Sequence, residues 1–199
     1  MPRLDSIYFN LTAIIATSAL KTCLHSGSLF LAAAISILLI SPIQMAFIPE
    51  LATHPILIFL PFGVRIVSAF FEGWMSIFYL LPAALSISII FFGGDLNDAQ
   101  TWVNLMVVYA TPPLVFNLLD WEKFRDQQEV FSLRSWRTLL VAGIISAVVT
   151  SLLLHIVTFR SLYFTETLWS MALFVLGDLM GLVVLLLSGA LISRAVLAR

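Results

Sequence analysis

An all-helical integral membrane protein is the fold class that the sequence predicts, and its composition and its charge pattern are the two reasons. Of the 199 residues, 61% are hydrophobic and only 11% are charged, with a mean hydropathy of +1.06. A water-soluble domain of this length could not bury so much apolar surface. Several charge-free runs also reach the roughly 20 residues that a membrane helix needs. We therefore expect one membrane domain over residues 1–199, a polytopic bundle of about five to six transmembrane helices.

The same composition excludes several classes of function. A net charge of −1 provides no basic surface for nucleic acid, so no nucleic-acid partner is expected. The single cysteine, Cys23, excludes an internal disulfide and a cysteine-rich metal site. The histidines His25, His54 and His155 have no metal-ligand spacing, and the sequence has no glycine-rich phosphate loop or catalytic constellation. We expect no enzymatic activity, no metal and no cofactor.

The N-terminal part of the chain divides into two segments. Residues 1–26 are moderately apolar but carry Asn10 and Lys21, which predicts an interfacial helix or a weak first span. Residues 27–48 are free of charge and predict a clear span, which Pro42 would bend.

Residues 55–72 are the most irregular part of the predicted bundle. Two prolines, a glycine and two charged residues interrupt the apolar run: Pro55, Pro61, Gly63, Arg65 and Glu72. Proline removes a backbone donor, and glycine permits a bent backbone or a close approach. Interrupted segments of this kind often line a site in membrane proteins, because the freed backbone groups can face a cavity. A kinked span, or a short tilted one, is the alternative.

The rest of the chain predicts four more helices and one charged connection. The helices are expected over 73–92, 100–119, 138–158 and 165–192. An acidic turn over residues 93–98 separates the first two of these helices.

The connection over residues 120–137 is the only long charged stretch. Aromatic residues recur in it at helical spacing among charges of both signs, which predicts a helix on the membrane surface or a docking surface for a partner. A solvated loop with tryptophan anchors is the equally weighted alternative. The candidate partner contacts are Trp121, Phe124, Arg125, Phe131 and Arg134.

Basic residues set the predicted orientation. Lys123, Arg125, Arg134 and Arg137 place the 120–137 connection in the cytoplasm, because basic residues concentrate on that side. The C-terminus carries Arg194 and Arg199 and is placed there too. These assignments agree, since two helices lie between them, and they predict a multi-pass membrane protein with a cytoplasmic C-terminus.

Asp178 is the most informative single residue, because it lies in the middle of the otherwise apolar last helix. A charged residue near the bilayer centre costs roughly 2.5–3.5 kcal/mol on insertion scales, so it normally lies beside a partner or a polar cavity. Arg65 is the candidate partner. Gly177 and Gly181 are four residues apart and form a helix face that another segment can approach closely. We expect the segment around Arg65 to pack on this face and to form a bidentate, neutral pair with Asp178.

This pair has two interpretations. It could belong to a ligand or signal site, whose candidate residues are Arg65, Asp178, Pro61, Gly63 and Glu72. It could instead be a structural pair that fixes helix register. Glu72 lies seven residues after Arg65 and would either compete for it or lie at the membrane interface. Gly73 and Trp74 are expected to join Gly177 and Gly181 in helix packing.

Two segments resemble the MASE family, the membrane-associated sensor domains of bacterial signalling proteins, in its first-described type. One segment carries Pro61 and Gly63 and is followed by Gly73 and Trp74. The other carries Gly177, Asp178 and Gly181, and it is similar to the W-x-G-D-x-x-G-like pattern of that family's terminal helix. The likeness extends in order over about residues 55–193. Family members usually precede a cyclase, phosphodiesterase or kinase domain, whereas this chain stops at Arg199. The resemblance therefore implies a stand-alone, truncated sensor whose output passes to a separate protein.

The sequence thus predicts a non-enzymatic membrane protein, sensor-like or interacting, that binds a small ligand or a membrane partner in its helix bundle. Its expected partners are membrane lipids, another membrane or cytoplasmic protein, and a small molecule. Two alternatives stay open: an accessory subunit of a larger membrane complex, and a small substrate-binding component of a transporter.

Overall fold

The computed structural model describes residues 4–49, 55–119, 133–158 and 164–197, and all the regular elements in these ranges are helices. The prediction of an all-helical fold is confirmed there. The elements are α1 (Leu4–Ala34), a π-helical stretch (Ile35–Ile40), α2 (Ser41–Phe47), α3 (Leu60–Glu72), α4 (Met75–Phe92), α5 (Ala99–Leu118), α6 (Leu133–Thr158) and α7 (Phe164–Leu197).

Four described helices are long and apolar enough to cross a membrane. The spans are Ile15–Phe47, Met75–Phe92, Trp136–Val157 and Leu168–Ile192. The predicted bundle of five to six transmembrane helices is not confirmed. Helix α3 has 13 residues, and at a rise of about 1.5 Å per residue it is too short for a core about 30 Å thick. Helix α5 has 20 residues but carries polar side chains along its length.

Two predicted boundaries fall inside continuous helices. Helix α1 runs through the expected junction at residues 26 and 27 without interruption, and the helical path continues to Phe47. Pro42 lies in the first turn of α2, directly after the π-helical stretch, and does not end the helical path. Helix α6 begins at Leu133, so the end of the 120–137 connection is helical.

Residues 55–59 are not helical, and α3 begins directly after them. The irregular segment expected over 55–72 is therefore confined to these five residues within that range. Its backbone groups are hydrogen-bonded by side chains of the first helical path. The Gln44 amide donates to the Pro55 carbonyl at 3.2 Å and accepts from the Leu57 N–H at 2.8 Å. The Ser36 hydroxyl donates to the Ile58 carbonyl at 3.3 Å and accepts from the Leu60 N–H at 3.0 Å.

The last helix provides the remaining support for this segment. The Phe59 N–H donates to the Gly177 carbonyl at 3.0 Å. A Cβ added at Gly177 would meet the carbonyl oxygen of Ile56, and one added at Gly181 would meet that of Phe59. The glycine face of α7 is therefore occupied by the irregular backbone, which lies too close for any larger residue.

Helix α3 is the central element of the described bundle. It packs against α1, α4, α5, α6 and α7. Phe62 and Ile66 are fully buried in one apolar cluster with Leu182 of α7, while Val64 joins a second cluster with Leu29 of α1. A short helix with both faces covered by protein can carry a charged side chain without presenting it to lipid.

Gly73 and Trp74 form the turn between α3 and α4. They do not join the close helix packing that was predicted for them with Gly177 and Gly181. Gly73 has φ of +54°, a conformation that glycine adopts without a steric cost. A Cβ added there would meet no atom within 4 Å, and Trp74 is 47% exposed. The glycine is needed for the backbone turn rather than for a close helix contact.

The close approach at Gly181 predicts a position-specific loss of stability. Gly181→Ala should destabilise the protein by about 1–3 kcal/mol, because the new methyl group collides with the Phe59 backbone. Gly189→Ala is the matched control on the same helix, since its Cβ would meet open space. Thermal unfolding in mild detergent measures both variants. Equal melting temperatures for the two would contradict the close approach.

Candidate ligand site

Arg65 and Asp178 lie side by side in the bundle, on α3 and α7. Their side chains are 5% and 10% exposed, and the Arg65 Nη2 to Asp178 Oδ1 distance is 4.0 Å. The prediction of a bidentate pair is wrong, because this separation is too long for a hydrogen bond. Among the described residues, none donates a hydrogen bond to the Asp178 carboxylate. The two side chains therefore interact through their opposite charges without a direct hydrogen bond.

Arg65 is held mainly by α5. Its Nη1 donates to the Val108 carbonyl at 3.1 Å. In a regular helix that carbonyl would accept from the residue four positions later, but this residue is Pro112, which has no N–H. The guanidinium therefore satisfies a carbonyl that the proline leaves without its helical donor.

Aromatic rings and an unsatisfied donor complete the surroundings of Arg65. The guanidinium carbon lies 5.3 Å from the centre of the Phe62 ring and 5.7 Å from that of Tyr109, which are cation–π distances. The Arg65 Nε is buried and has no hydrogen-bond partner in the described part of the chain. The arginine is thus fixed in place with part of its donor capacity unused.

A cavity of about 600 Å³ adjoins the pair. Residues of α3 to α7 and of the irregular 55–59 segment line it. Arg65 and Asp178 lie in its wall, and the lining extends to Phe92 and Gly94 at the turn between α4 and α5. Small-molecule sites in proteins measure about 300–1,000 Å³, are mostly apolar and hold a few convergent polar groups.

Helix α6 contributes hydroxyl groups to this region. Thr150 and Ser151 line the cavity, and Ser146 is fully buried one turn before Thr150. The Ser151 hydroxyl donates to the Met171 carbonyl at 3.4 Å. The hydroxyls of Ser146 and Thr150 find no hydrogen-bond partner among the described residues. Buried polar groups normally have partners, so Thr150 brings an unsatisfied hydroxyl to the part of α6 that lines the cavity.

The predicted site residues are only partly brought together. Pro61 lines the cavity beside Arg65 and Asp178. Gly63 does not, because it faces α7, where an added Cβ would lie 3.1 Å from the Leu182 Cα. Glu72 is also absent from the lining and belongs to a separate polar cluster at the opposite end of α3.

This second cluster joins α1, α3 and α4. The Glu72 carboxylate lies 2.8 Å from Lys21 Nζ and 3.7 Å from His25 Nε2. His25 Nδ1 is 2.8 Å from the Ser68 hydroxyl, and its ring stacks on Tyr79 with centroids 5.9 Å apart. Glu72 therefore does not compete for Arg65. The Lys21 side chain is 41% exposed, so the cluster reaches the protein surface.

Several lining residues were not expected from the sequence, although signals for them were present. Pro112 marked Val108 as an acceptor without its helical donor, which pointed to a donor on a neighbouring element. Ser146, Thr150 and Ser151 recur at helical spacing and marked a polar face on α6. No local pattern distinguished Tyr109 from an interfacial aromatic residue.

The predicted partner contacts lie outside the part of the chain whose side chains the structure describes. Trp121, Phe124, Arg125 and Phe131 lie outside the described residues, and Arg134 lies in α6 with its side chain undescribed. Within the described ranges, no group of three or more His, Cys, Asp and Glu side chains could hold a metal ion.

The geometry of the pair predicts energetic coupling. Arg65→Gln and Asp178→Asn should each cost about 3–5 kcal/mol, because each leaves one buried charge without its counter-charge. The double variant should lose less than the sum of the two, by about 0.5–3 kcal/mol. Chemical or thermal unfolding in detergent gives the four stabilities of the cycle.

The Lys21 and Glu72 pair is the control for this cycle. Because Lys21 is partly exposed, the cycle of Lys21→Gln and Glu72→Gln should show a coupling of only about 0.2–1 kcal/mol. Strict additivity of Arg65→Gln and Asp178→Asn would contradict the pairing of the buried charges.

Comparison of the chain with protein-family models, with curated proteins and with solved structures finds no match. The resemblance of its two glycine-containing segments to the MASE family stays a prediction from the sequence. Any assignment of function therefore rests on the geometry of the cavity and on the charges beside it.

Proposed function

We propose that the protein is a non-enzymatic, sensor-like membrane protein that binds a small molecule in the cavity beside Arg65 and Asp178. One observation carries the proposal: two buried opposite charges line a cavity of about 600 Å³ at a separation of 4.0 Å. Charged groups within a membrane bundle are costly and commonly mark functional sites.

The alternative of a purely structural pair accounts less well for this geometry. A buried ion pair offsets its desolvation cost only when the contact is close and the remaining donors and acceptors are satisfied. Here the two groups are not hydrogen-bonded to each other, and the Arg65 Nε is unsatisfied in the described structure. A ligand in the adjoining cavity would supply hydrogen-bond partners that the two groups do not give each other.

In the proposed arrangement the protein spans the bacterial inner membrane several times. Helix α5 crosses in addition to the four longer helices, and α3 spans only part of the bilayer. The C-terminus and the 120–137 connection lie in the cytoplasm, following the basic residues. The cavity end at Phe92 and Gly94 then opens toward the outside, from which a ligand would enter.

Helix α3 is the proposed route from the site to the cytoplasmic side. It carries Arg65 at the cavity and Glu72 two turns later, where Glu72 contacts Lys21 and His25. A ligand that draws Arg65 toward itself would shift α3 and alter this second cluster. A separate protein would receive the signal there or at the 120–137 connection.

A substrate-binding component of a transporter is the second candidate. The irregular segment 55–59, followed by the half-length helix α3, favours it, because transporters often build substrate sites from discontinuous helices near the membrane centre. The same cavity would serve both functions, so the two differ in the partner protein rather than in the ligand site.

Gentle extraction tests the proposed ligand binding. Protein purified in mild detergent should retain a small molecule that mass spectrometry detects after denaturation. Leu105→Trp, which fills the cavity, should abolish retention. Met106→Trp is the matched control, because Met106 follows Leu105 in the chain but is 61% exposed and does not line the cavity.

Three outcomes separate the candidates. A monomer that retains a compound lost only in Leu105→Trp supports ligand binding. Equal retention by wild type and by both tryptophan variants would place the compound elsewhere and contradict the proposal. A stoichiometric complex without a bound molecule would favour an accessory subunit of a larger assembly instead.

A further inference from the structure

We infer that the ligand of this cavity is a zwitterion with an apolar body, the chemical class of hydrophobic α-amino acids. This inference rests on the proposed ligand-binding function and names the class of molecule that the site would take. Three features of the cavity support it: the balance of charge, the unused hydrogen-bonding capacity, and the apolar character of the walls.

The balance of charge favours a ligand without net charge. Arg65 and Asp178 are both buried and contribute opposite charges to the same wall. A cation alone would leave the arginine unfavourably placed beside a second positive charge, and an anion alone would do the same to the aspartate. Burying such an imbalance is expensive, so a ligand that carries both charges fits best.

The unused hydrogen-bonding capacity calls for both kinds of group. Asp178 accepts no hydrogen bond from any described residue, so it needs a donor such as an ammonium group. Arg65 donates to the Val108 carbonyl alone within the described structure, so its remaining N–H groups need an acceptor such as a carboxylate. Charge-assisted hydrogen bonds of these two kinds are among the strongest in proteins.

The distance between the two groups restricts the ligand further. Because Nη2 and Oδ1 are 4.0 Å apart, one molecule reaches both only if its own charges are close together. An ammonium and a carboxylate attached to the same carbon meet this requirement. A long flexible molecule with distant charges does not.

The remaining walls suit an apolar side chain. Phe59, Ile87, Leu154 and Phe174 line the cavity, together with the Tyr109 ring. An aromatic or branched aliphatic body would bury apolar area against them at about 25 cal/mol per Å². A small zwitterion without such a body would forgo this contribution and bind more weakly.

Four probes test the inference on the wild-type protein in detergent: L-phenylalanine, phenethylamine, 3-phenylpropionate and glycine. The amine and the acid each keep the aromatic body and one charge, whereas glycine keeps both charges without the body. Isothermal titration calorimetry should show L-phenylalanine binding at least about tenfold more tightly than the other three, since each lacks one class of contact. Equal or tighter binding of the amine or the acid would overturn the inference.

Variants locate the binding in the cavity. Asp178→Asn should weaken L-phenylalanine binding about tenfold, because the ammonium contact is lost, and should strengthen 3-phenylpropionate binding, because the repulsion between its carboxylate and Asp178 is removed. Lys21→Gln is the control, since Lys21 does not line the cavity. An equal loss for both compounds in Asp178→Asn would contradict the assigned contact. If that variant does not fold, the probe series on the wild-type protein decides alone.

Failure of the ligand class and failure of ligand binding give different results. If no probe binds but gentle extraction still recovers a compound that Leu105→Trp loses, the ligand class is wrong and the proposed function stands. If no probe binds and no compound is recovered, both the ligand class and the proposed function are wrong.

Discussion

Hydrogen bonding of the irregular backbone at residues 55–60 is the constraint on which the rest of the described bundle depends. An unpaired N–H or carbonyl in an apolar bundle costs several kcal/mol, because no water is available to replace the lost partner. Ser36 and Gln44 on the first helical path and the Gly177 carbonyl on α7 provide the partners. These contacts fix where α3 begins, and therefore how deep Arg65 lies.

The site follows from that placement. Pro112 leaves the Val108 carbonyl without a helical donor, and Arg65 reaches it from α3. The glycines of α7 bring Asp178 to the same depth, because the 55–59 backbone packs directly on their face. A proline on one helix and two glycines on another therefore position the two charges. Neither charge is satisfied by the other, and this incomplete pairing gives the cavity its chemical character.

Much of this arrangement was predictable from individual residues. Burying the Asp178 charge in an apolar helix costs free energy unless a partner lies beside it, and Arg65 was the candidate partner. Gly177 and Gly181 predicted a close approach on α7. The roles of Gly63, Gly73 and Glu72 were not predictable, because each depends on which side of a short helix meets which neighbour. Glu72 illustrates this: its spacing from Arg65 allowed either competition for that arginine or a place at the membrane interface, and the structure pairs it with Lys21 of α1.

The sequence by itself determined the class of fold and the presence of a carboxylate in an apolar helix, where it needs a compensating group. Hydropathy requires helices in a membrane, and a lone carboxylate in such a helix requires a compensating group. Only the tertiary structure decided the distance between Arg65 and Asp178, the cavity beside them and the number of long apolar helices. These properties depend on how helices of different lengths pack against an irregular segment. Local periodicity does not encode that packing, since the contacts join residues far apart in the chain.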